Sequence, residues 1–515
     1  MQKELTLLLT PKESTDIDII RKKAIGKLRI QESELTSVKV LKKSIDARNR
    51  SVKMNVYVRA YINEEENESP FDPRFKEVTD SEPIIIVGSG PAGLFAALKL
   101  IELGYKPIIL ERGNAVKERR IDIAKINRES IINPDSNYAF GEGGAGTFSD
   151  GKLYTRSKKR GNVRNVLDLL IHHGADKNIG VDAHPHIGTN KLPAIIQNIR
   201  KTIINHGGEV HFNTRVEEFI IDNNRIKGVI ADGKEYKADK VILATGHSAR
   251  DIYTQLNKQE IEIEAKAFAM GVRVEHPQGI IDSIQYHCEI RDEYLPAAAY
   301  SLVTNINNRG VYSFCMCPGG FIVPAATSDN QLVVNGMSPS LRNSKYANSG
   351  MVVEIRLEDM EDFKEYGVLA GLKFQEYFEE LTFNKGGEGQ IAPAQRLVDF
   401  VKGKVSKDLP ETSYHPGIIS SPMHKWLPNH LRHRLQEGFK AFDKKMQGYL
   451  TNDAVIIGAE SRTSSPVRIP RDKESLEHVQ IQGLYPAGEG AGYAGGIVSA
   501  AVDGIRIAEI IGNEN

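Results

Sequence analysis

The sequence predicts an α/β protein with a three-layer domain on a parallel sheet, interrupted by a strand-rich insertion and preceded by a small α+β unit. Three observations carry that expectation. Residues 83–112 read strand, glycine turn, helix, strand, and both strands (Ile84–Val87 and Pro107–Leu110) are apolar throughout, as a parallel sheet covered on both faces requires. Residues 209–246 alternate short strands with turns at Asp222–Asn224 and Asp232–Gly233, ending in the apolar run KVILATG. From about Val455 the chain returns to strand, turn and helix, so C-terminal residues are expected to complete the first domain.

In chain order, residues 1–62 form the small unit. A strand at Leu5–Leu9 precedes a helix from Asp16 to Leu28, capped by Ser14 or Thr15, and strands follow at Ser37–Leu41 and Val52–Ile62. In the last of these Val52, Met54, Val56 and Val58 share one face. Between Ile17 and Ala60 there are 12 Lys and Arg against 4 Asp and Glu, a basic excess expected to serve interdomain or subunit docking. Residues 63–82 are acidic, hold two prolines and show no period, which marks a linker. Residues 83–261 are expected to be the first part of the three-layer domain, 262–450 an inserted interdomain α+β domain, and 451–515 the C-terminal return of the first. Within the insertion, 262–345 read as strand-rich. Helices are expected at 428–447 and at 352–382, the latter with Val353, Ile355, Leu357, Met360 and Phe363 on its apolar face.

Composition excludes several classes. Lys plus Arg equals Asp plus Glu, 67 each, so the chain as a whole has no bulk attraction for nucleic acid or membrane. Three cysteines in 515 residues cannot build a disulfide scaffold. The N-terminal apolar run TLLL is too short for a signal-peptide core, and no later apolar run reaches ~18 residues. A cytoplasmic protein is expected.

The chemistry begins at Gly88-Ser89-Gly90-Pro91-Ala92-Gly93, a G-x-G-x-x-G set between a strand and a helix. Gly88 permits the tight turn, Gly90 lets backbone approach a pyrophosphate, and Gly93 lets the helix pack closely. The helix N-terminus offers unpaired N–H groups and positive dipole to phosphate. Glu111, with Arg112 beside it, ends the second strand where a carboxylate can accept from ribose hydroxyls; an acid there disfavours a 2′-phosphate and hence NADP. Near the C-terminus, GLYPAGE brings Gly488 and Glu489 to the end of a short strand, and Gly490–Gly496 leads into a helix at Ile497. Ala244-Thr245-Gly246 ends another apolar strand, and a third glycine-rich loop, Gly141–Lys152, includes Gly144 and Gly146.

With these segments the sequence resembles the glutathione-reductase-type FAD fold, in which an N-terminal loop holds the ADP and a terminal "GLYxAGD" segment meets the ribityl and phosphate; here Glu489 stands for the usual Asp. Together with Ser313–Gly320 and Glu460–Arg468, the Gly141–Lys152 loop resembles a bacterial family of FAD-dependent dehydrogenases whose substrates are not established, along the whole chain. The resemblance implies a Rossmann-like (three-layer) FAD-binding domain and non-covalent FAD. It implies an FAD-dependent oxidoreductase, a dehydrogenase or reductase passing a hydride to or from flavin N5. The Gly490–Gly496 loop and its helix are expected to set positive dipole near flavin N1/O2. No second G-x-G-x-x-G appears between 250 and 450, so NAD(P)H is expected only as a transient co-substrate.

The substrate side leaves alternatives. Cys315 and Cys317 form a C-x-C on a strand, i and i+2 being about 7 Å apart, too far for a relaxed disulfide unless the strand bends. They are either redox or nucleophilic groups or small wall and core residues. Arg462 and Arg468, in the polar run Glu460–Arg468, either hold an anionic small-molecule substrate or pair in a solvated loop. Arg273 and Glu275, two apart on one strand with His276 following, are expected on a salt-bridged or surface face. His184 and His186 are expected to be structural, and no metal site is suggested. The rivals are a flavin monooxygenase and a nucleic-acid- or protein-binding module with structural FAD, the former distinguished by coupled hydroxylation. The basic N-terminal face lacks an aromatic RNA-binding motif.

Overall fold

Residues 1–67, 71–155 and 161–513 are described by a computed structural model. Five short parallel strands form the central sheet, in the order Leu484–Pro486, Val241–Leu243, Pro83–Val87, Lys106–Leu110, Glu209–His211. Their Ile and Val side chains are buried on both faces. On one face lie the helices Pro91–Leu103, Val163–His172, Leu192–Asn205 and Ile497–Asn513. On the other lie the antiparallel strands Val216–Asp222, Arg225–Ala231 and Lys234–Lys237, with the helix Arg250–Lys258. The result is three layers.

The helix Pro91–Leu103 starts with Pro91, whose fixed φ suits the first turn, and stops at Gly104, left-handed at φ 99°. It lies against Ile497–Asn513 with little clearance: a Cβ on Gly504 would stand 2.0 Å from the Ala92 carbonyl oxygen.

The second sheet has seven strands, in the order Val303–Ile306, Arg309–Cys317, Tyr346–Ile355, Phe268–Pro277, Val455–Glu460, Ala392–Arg396, Ile418–Ser420. It is antiparallel except for its last pair. Helices Gln278–Tyr286, Ala370–Asn384 and Asn429–Lys445 supply side chains to its core.

The N-terminal unit is an antiparallel sheet in the order Gln2–Leu9, Lys53–Ile62, Leu35–Asp46, with the helix Ile17–Leu28 closing Leu7, Leu9, Val56 and Val58 beneath Ile20 and Ala24. Its Leu35–Asp46 edge docks on the body, Lys43 donating to the Val181 carbonyl at 2.8 Å and accepting from Ala183 N at 2.9 Å. Among the described residues no helix is long and apolar enough to cross a membrane.

Several local expectations change. The cap of Ile17–Leu28 is Asp16, whose carboxylate accepts from Asp18 N and Ile19 N at 2.8 and 3.2 Å; the Ser14 hydroxyl instead donates to the Pro11 carbonyl. The strands expected at Leu5–Leu9 and Ser37–Leu41 run longer, Gln2–Leu9 and Leu35–Asp46, because their neighbour Lys53–Ile62 pairs with both along its length. Val353 and Ile355 are not helical. They belong to Tyr346–Ile355, held between two strands, and an i, i+2 apolar pair there fits a strand as well as a helix start. The α-helix begins only at Ala370, after 3₁₀ turns over Leu357–Leu369. Val455–Glu460, expected to open the C-terminal return, is a buried inner strand of the second sheet; the return to the first comes with Leu484–Pro486.

The Gly504 crossing yields a prediction of sign. Gly→Ala within a helix ordinarily stabilises by up to ~1 kcal/mol. At Gly504 the overpacking cost of roughly 1–3 kcal/mol outweighs that gain. Gly504→Ala is therefore expected to lower the melting temperature; an unchanged or raised value would disprove the tight crossing.

Candidate active site

Because the central strands are parallel, their carboxyl ends meet at one edge, and the ligand-facing loops leave from there: Gly88 after Val87, Glu111 after Leu110, Ala244 after Leu243, Ala487 after Pro486. Between this edge and the seven-stranded sheet opens a cleft of about 1570 Å³, mouth included.

Glu111 holds the loops together. Its buried carboxylate accepts from Ser89 N at 2.9 Å, Ser89 Oγ at 2.7 Å, Gly113 N at 3.0 Å and Gly141 N at 2.9 Å. The expected ribose acceptor thus already receives two protein donors on each oxygen. Gly143 N donates to the Ser89 carbonyl at 3.0 Å, and a Cβ on Gly144 would reach 3.0 Å from Gly90 Cα, so the first and third glycine loops lie face to face. Arg119, fully buried, donates to the carbonyls of Asn137, Tyr138 and Glu142 and fixes the third loop from behind. Arg112 spans Asp135 at 2.7 Å and Asp251 at 2.9 Å, with its guanidinium carbon 4.3 Å from the Phe140 ring centre.

Of the residues assigned to a cofactor from sequence, Gly88, Gly90, Pro91, Ala92, Glu111, Arg112, Gly144, Gly146, Ala244, Thr245, Gly246, Gly488, Glu489, Gly495, Gly496 and Ile497 line the cleft. Gly93 does not; it lies beneath the loop, where a Cβ would stand 2.1 Å from the Gly88 carbonyl oxygen. The lining fits a dinucleotide. Gly90 has only Gly144 Cα, at 3.9 Å, near its open side, and a Cβ on Gly246, Gly495 or Gly496 would meet nothing within 4 Å. The buried Thr245 hydroxyl has no hydrogen-bond partner among the described residues. Two helix N-termini, at Pro91 and Ile497, reach the same space.

His247 and Lys152 were missed as candidates. His247 follows the Ala244–Gly246 segment directly and stands 3.7 Å from Glu489. Burial, assisted by Arg462, Arg250 and Lys266, lowers its imidazole to about 4, so it is neutral at physiological pH. Burial also raises the Glu489 carboxyl, against a backbone hydrogen bond from Gly496. Lys152 closes the third glycine loop and pairs with Asp150 at 3.0 Å. Neither residue has a motif of its own; their signal was position, immediately after glycine segments already assigned to a ligand.

At the end of the cleft bounded by the second sheet, the candidates separate. Arg462 lines the wall and shares buried Glu379 with Arg250, at 2.9 and 2.7 Å. It also donates to Thr327 Oγ1 at 2.8 Å and to Gln331 Oε1 at 3.3 Å. Arg468 lies outside the lining, 45% exposed and 3.8 Å from Glu264. Cys315 faces the cleft from a bulge between Phe314 and Cys317, at φ 44°. Cys317 is buried behind it, donating to the Cys315 carbonyl at 3.2 Å and accepting from Lys152 Nζ at 3.5 Å; both cysteines are free thiols.

Arg273 and Glu275 do not form a surface face. Both are buried because theirs is the middle strand of the seven and is covered on both sides. Arg273 pairs with Glu460 at 2.7 Å and donates to the Cys315 carbonyl at 2.8 Å, while Glu275 accepts from Thr412 and Ser413. His276 donates from Nε2 to the Tyr449 carbonyl, 2.8 Å away. His184 packs on Tyr154 with ring centres 4.8 Å apart, and His186 Nε2 lies 3.0 Å from the Ser340 carbonyl. Among the described residues no group of three or more His, Cys, Asp or Glu is placed to hold a metal ion.

Burial alone would raise the Glu379 carboxyl, yet Arg250 and Arg462 override it and hold it at about 2. A carboxyl depressed in the folded state contributes stability that is complete above its unfolded value of about 4.5 and fades as pH falls toward 2. Glu379→Gln leaves two buried guanidiniums without a counter-charge, a cost of roughly 3–5 kcal/mol. At pH 7 the variant is expected to melt well below the wild type, with the gap closing between pH 4.5 and pH 2; a gap independent of pH would contradict the assignment.

The arrangement matches known proteins along its length. Residues 267–463 match the family described as FAD-dependent protein, C-terminal domain-like; residues 147–263 match flavin containing amine oxidoreductase; residues 1–61 match a domain of unknown function. A Clostridium beijerinckii protein described as uncharacterized is 42% identical over 516 residues, covering 96% of each chain. A thiamine thiazole synthase from Aeropyrum pernix is 25% identical over 182 residues, 32% of this chain and 55% of that one. Among solved structures, glycine oxidase from Bacillus cereus aligns over 85% of this chain and 96% of its own at 13% identity, with a TM-score of 0.32. The chain belongs to the family of the clostridial protein and is an FAD-dependent oxidoreductase.

Proposed function

We propose that the enzyme transfers a hydride directly between a small anionic substrate and non-covalently bound FAD, with no thiol relay and no resident nicotinamide domain. Bound FAD supplies the two-electron chemistry, exchanging hydride at N5. The chain's own residues do the rest. The Pro91 helix N-terminus and the backbone of Gly88–Ala92 receive the phosphates, and Thr245 and Glu489 offer polar contacts along the cleft. The assignment to a glutathione-reductase-type FAD fold rests on that loop, on the Ala244–Gly246 segment and on Gly488–Glu489. His247 is neutral beside Glu489, so its imidazole can take up a proton there without first losing one.

The observation that carries the anionic substrate is the Arg462 site. Two guanidiniums share one buried carboxylate at the cleft wall, leaving one positive charge unbalanced where a substrate would lie. Two observations support direct transfer. Cys317 is turned to its own backbone behind the wall and only Cys315 reaches the cleft. The second large sheet, among the described residues, is antiparallel but for one pair and lacks a nucleotide-binding βαβ unit. Nicotinamide would then act as a visitor to the cleft. The free thiols suit a reducing, cytoplasmic setting.

Acid precipitation of the purified protein is expected to release all of its flavin, as FAD. Anaerobic dithionite titration separates direct transfer from a relay, because a disulfide takes up two electrons beyond the flavin's two. The expected uptake is two per flavin in the wild type and in Cys315→Ser/Cys317→Ser alike. Four in the wild type and two in the variant would establish a relay and overturn the reading.

A further inference from the structure

The Arg462 site has a counterpart. Asp150, buried in the third glycine loop, accepts ion pairs from Lys152 at 3.0 Å and Arg342 at 2.7 Å. Burial would raise its carboxyl, yet the two cations hold it far below the usual carboxylate range. Here too, two cations face one ionised carboxylate. Both clusters open into the same cleft, through Asp150 and Lys152 at one place and Arg462 at another. They come from different parts of the chain, one from the glycine loop that follows the first βαβ unit, the other from the end of an inner strand of the second sheet.

The neighbouring groups leave the surplus in place. Arg273 and Glu460 pair one to one and add no net charge. Glu376, within electrostatic reach of Arg250 and Arg462, is itself paired with Lys373 at 2.8 Å. His247 is neutral and stands 3.7 Å from Glu489, whose carboxyl burial raises. Asp251 shares Arg112 with Asp135, which also stands 3.6 Å from Arg215. A cleft that keeps two unbalanced cations held by ion pairs in its wall attracts an anion at each, and a cation in a partly desolvated wall attracts far more strongly than one in water.

Resting on the anionic reading of the Arg462 site, we propose that the substrate is a small dicarboxylate, one carboxylate held at Arg462 and the other at Lys152, with the reacting carbons between them. A guanidinium and an ammonium at the two ends would fix both the position and the direction of the chain, leaving its middle to face the redox cofactor. A monocarboxylate satisfies only one site and leaves the other cation bare.

The test uses the yellow holoenzyme and needs no turnover. Difference spectra of the flavin, with calorimetry as a second readout, are recorded against dicarboxylates from malonate to adipate and against monocarboxylates of matching chain length. At least one dicarboxylate is expected to bind tenfold or more tightly than its matched monocarboxylate. Lys152→Met and Arg462→Met should each erase that preference, and Arg462→Lys, which keeps the charge and guards against misfolding, should keep part of it. If matched mono- and dicarboxylates bind alike, or the preference survives Lys152→Met, the dicarboxylate assignment falls while the anionic reading stands. If no carboxylate of either kind binds, both fall.

Discussion

One carboxylate organises the cofactor half of this molecule. Glu111 stands at the end of the second parallel strand and accepts four hydrogen bonds from three separate stretches of chain: the fingerprint loop at Ser89, its own following turn at Gly113, and the third glycine loop at Gly141. Loops rich in glycine lose more conformational entropy on ordering than any others, and nothing in their side chains can hold them. A buried anion with four donors, each hydrogen bond to a charge being stronger than a neutral one, supplies the missing restraint. The face-to-face packing of Gly90 and Gly144 and the helix start at Pro91 on the cleft both follow from it.

The other half of the cleft is governed by charge count. The second sheet buries Arg273 with Glu460, and that pair in turn pins the Cys315 carbonyl where the strand leaves its ladder. A left-handed backbone at a non-glycine residue costs on the order of 1–3 kcal/mol, and the buried arginine is what maintains it. Around this neutral centre stand the two clusters with an excess cation. The two halves of the cleft therefore differ in kind: backbone and helix dipoles along the glycine loops, fixed side-chain charge toward the second sheet.

What was legible in the sequence follows from the same division. Gly88 and Gly93 could be read because a left-handed turn and a close approach each demand glycine at a fixed spacing. The polar groups were harder. Glu111 was placed correctly at its strand end, but sequence alone suggested a ribose and gave no sign of donors arriving from residue 141. Arg462 could be noticed, but not distinguished from Arg468, because its partner Glu379 sits in a helix some eighty residues earlier. Arg273 and Glu275 read as a salt-bridged or surface face; Arg273 does pair with Glu460, but local spacing does not report that sheets and helices will cover both sides. Val353, Ile355 and the strand at Val455 were misplaced for one reason: short apolar runs carry no period long enough to separate strand from helix, or one sheet from another.

The central claim is that a single acceptor assembles the cofactor loops, and the affinity of Glu111→Gln for FAD tests it most directly. A glutamine offers one acceptor oxygen and turns an amide N–H₂ toward donors that cannot receive it, leaving buried donors unmet at roughly 1–3 kcal/mol each. Measured by equilibrium titration of the apoprotein, the Kd for FAD is expected to rise at least tenfold, about 1.4 kcal/mol per decade, while far-ultraviolet circular dichroism stays that of the wild type. An unchanged Kd in a folded Glu111→Gln protein would show that the loops assemble without the carboxylate and would contradict the account.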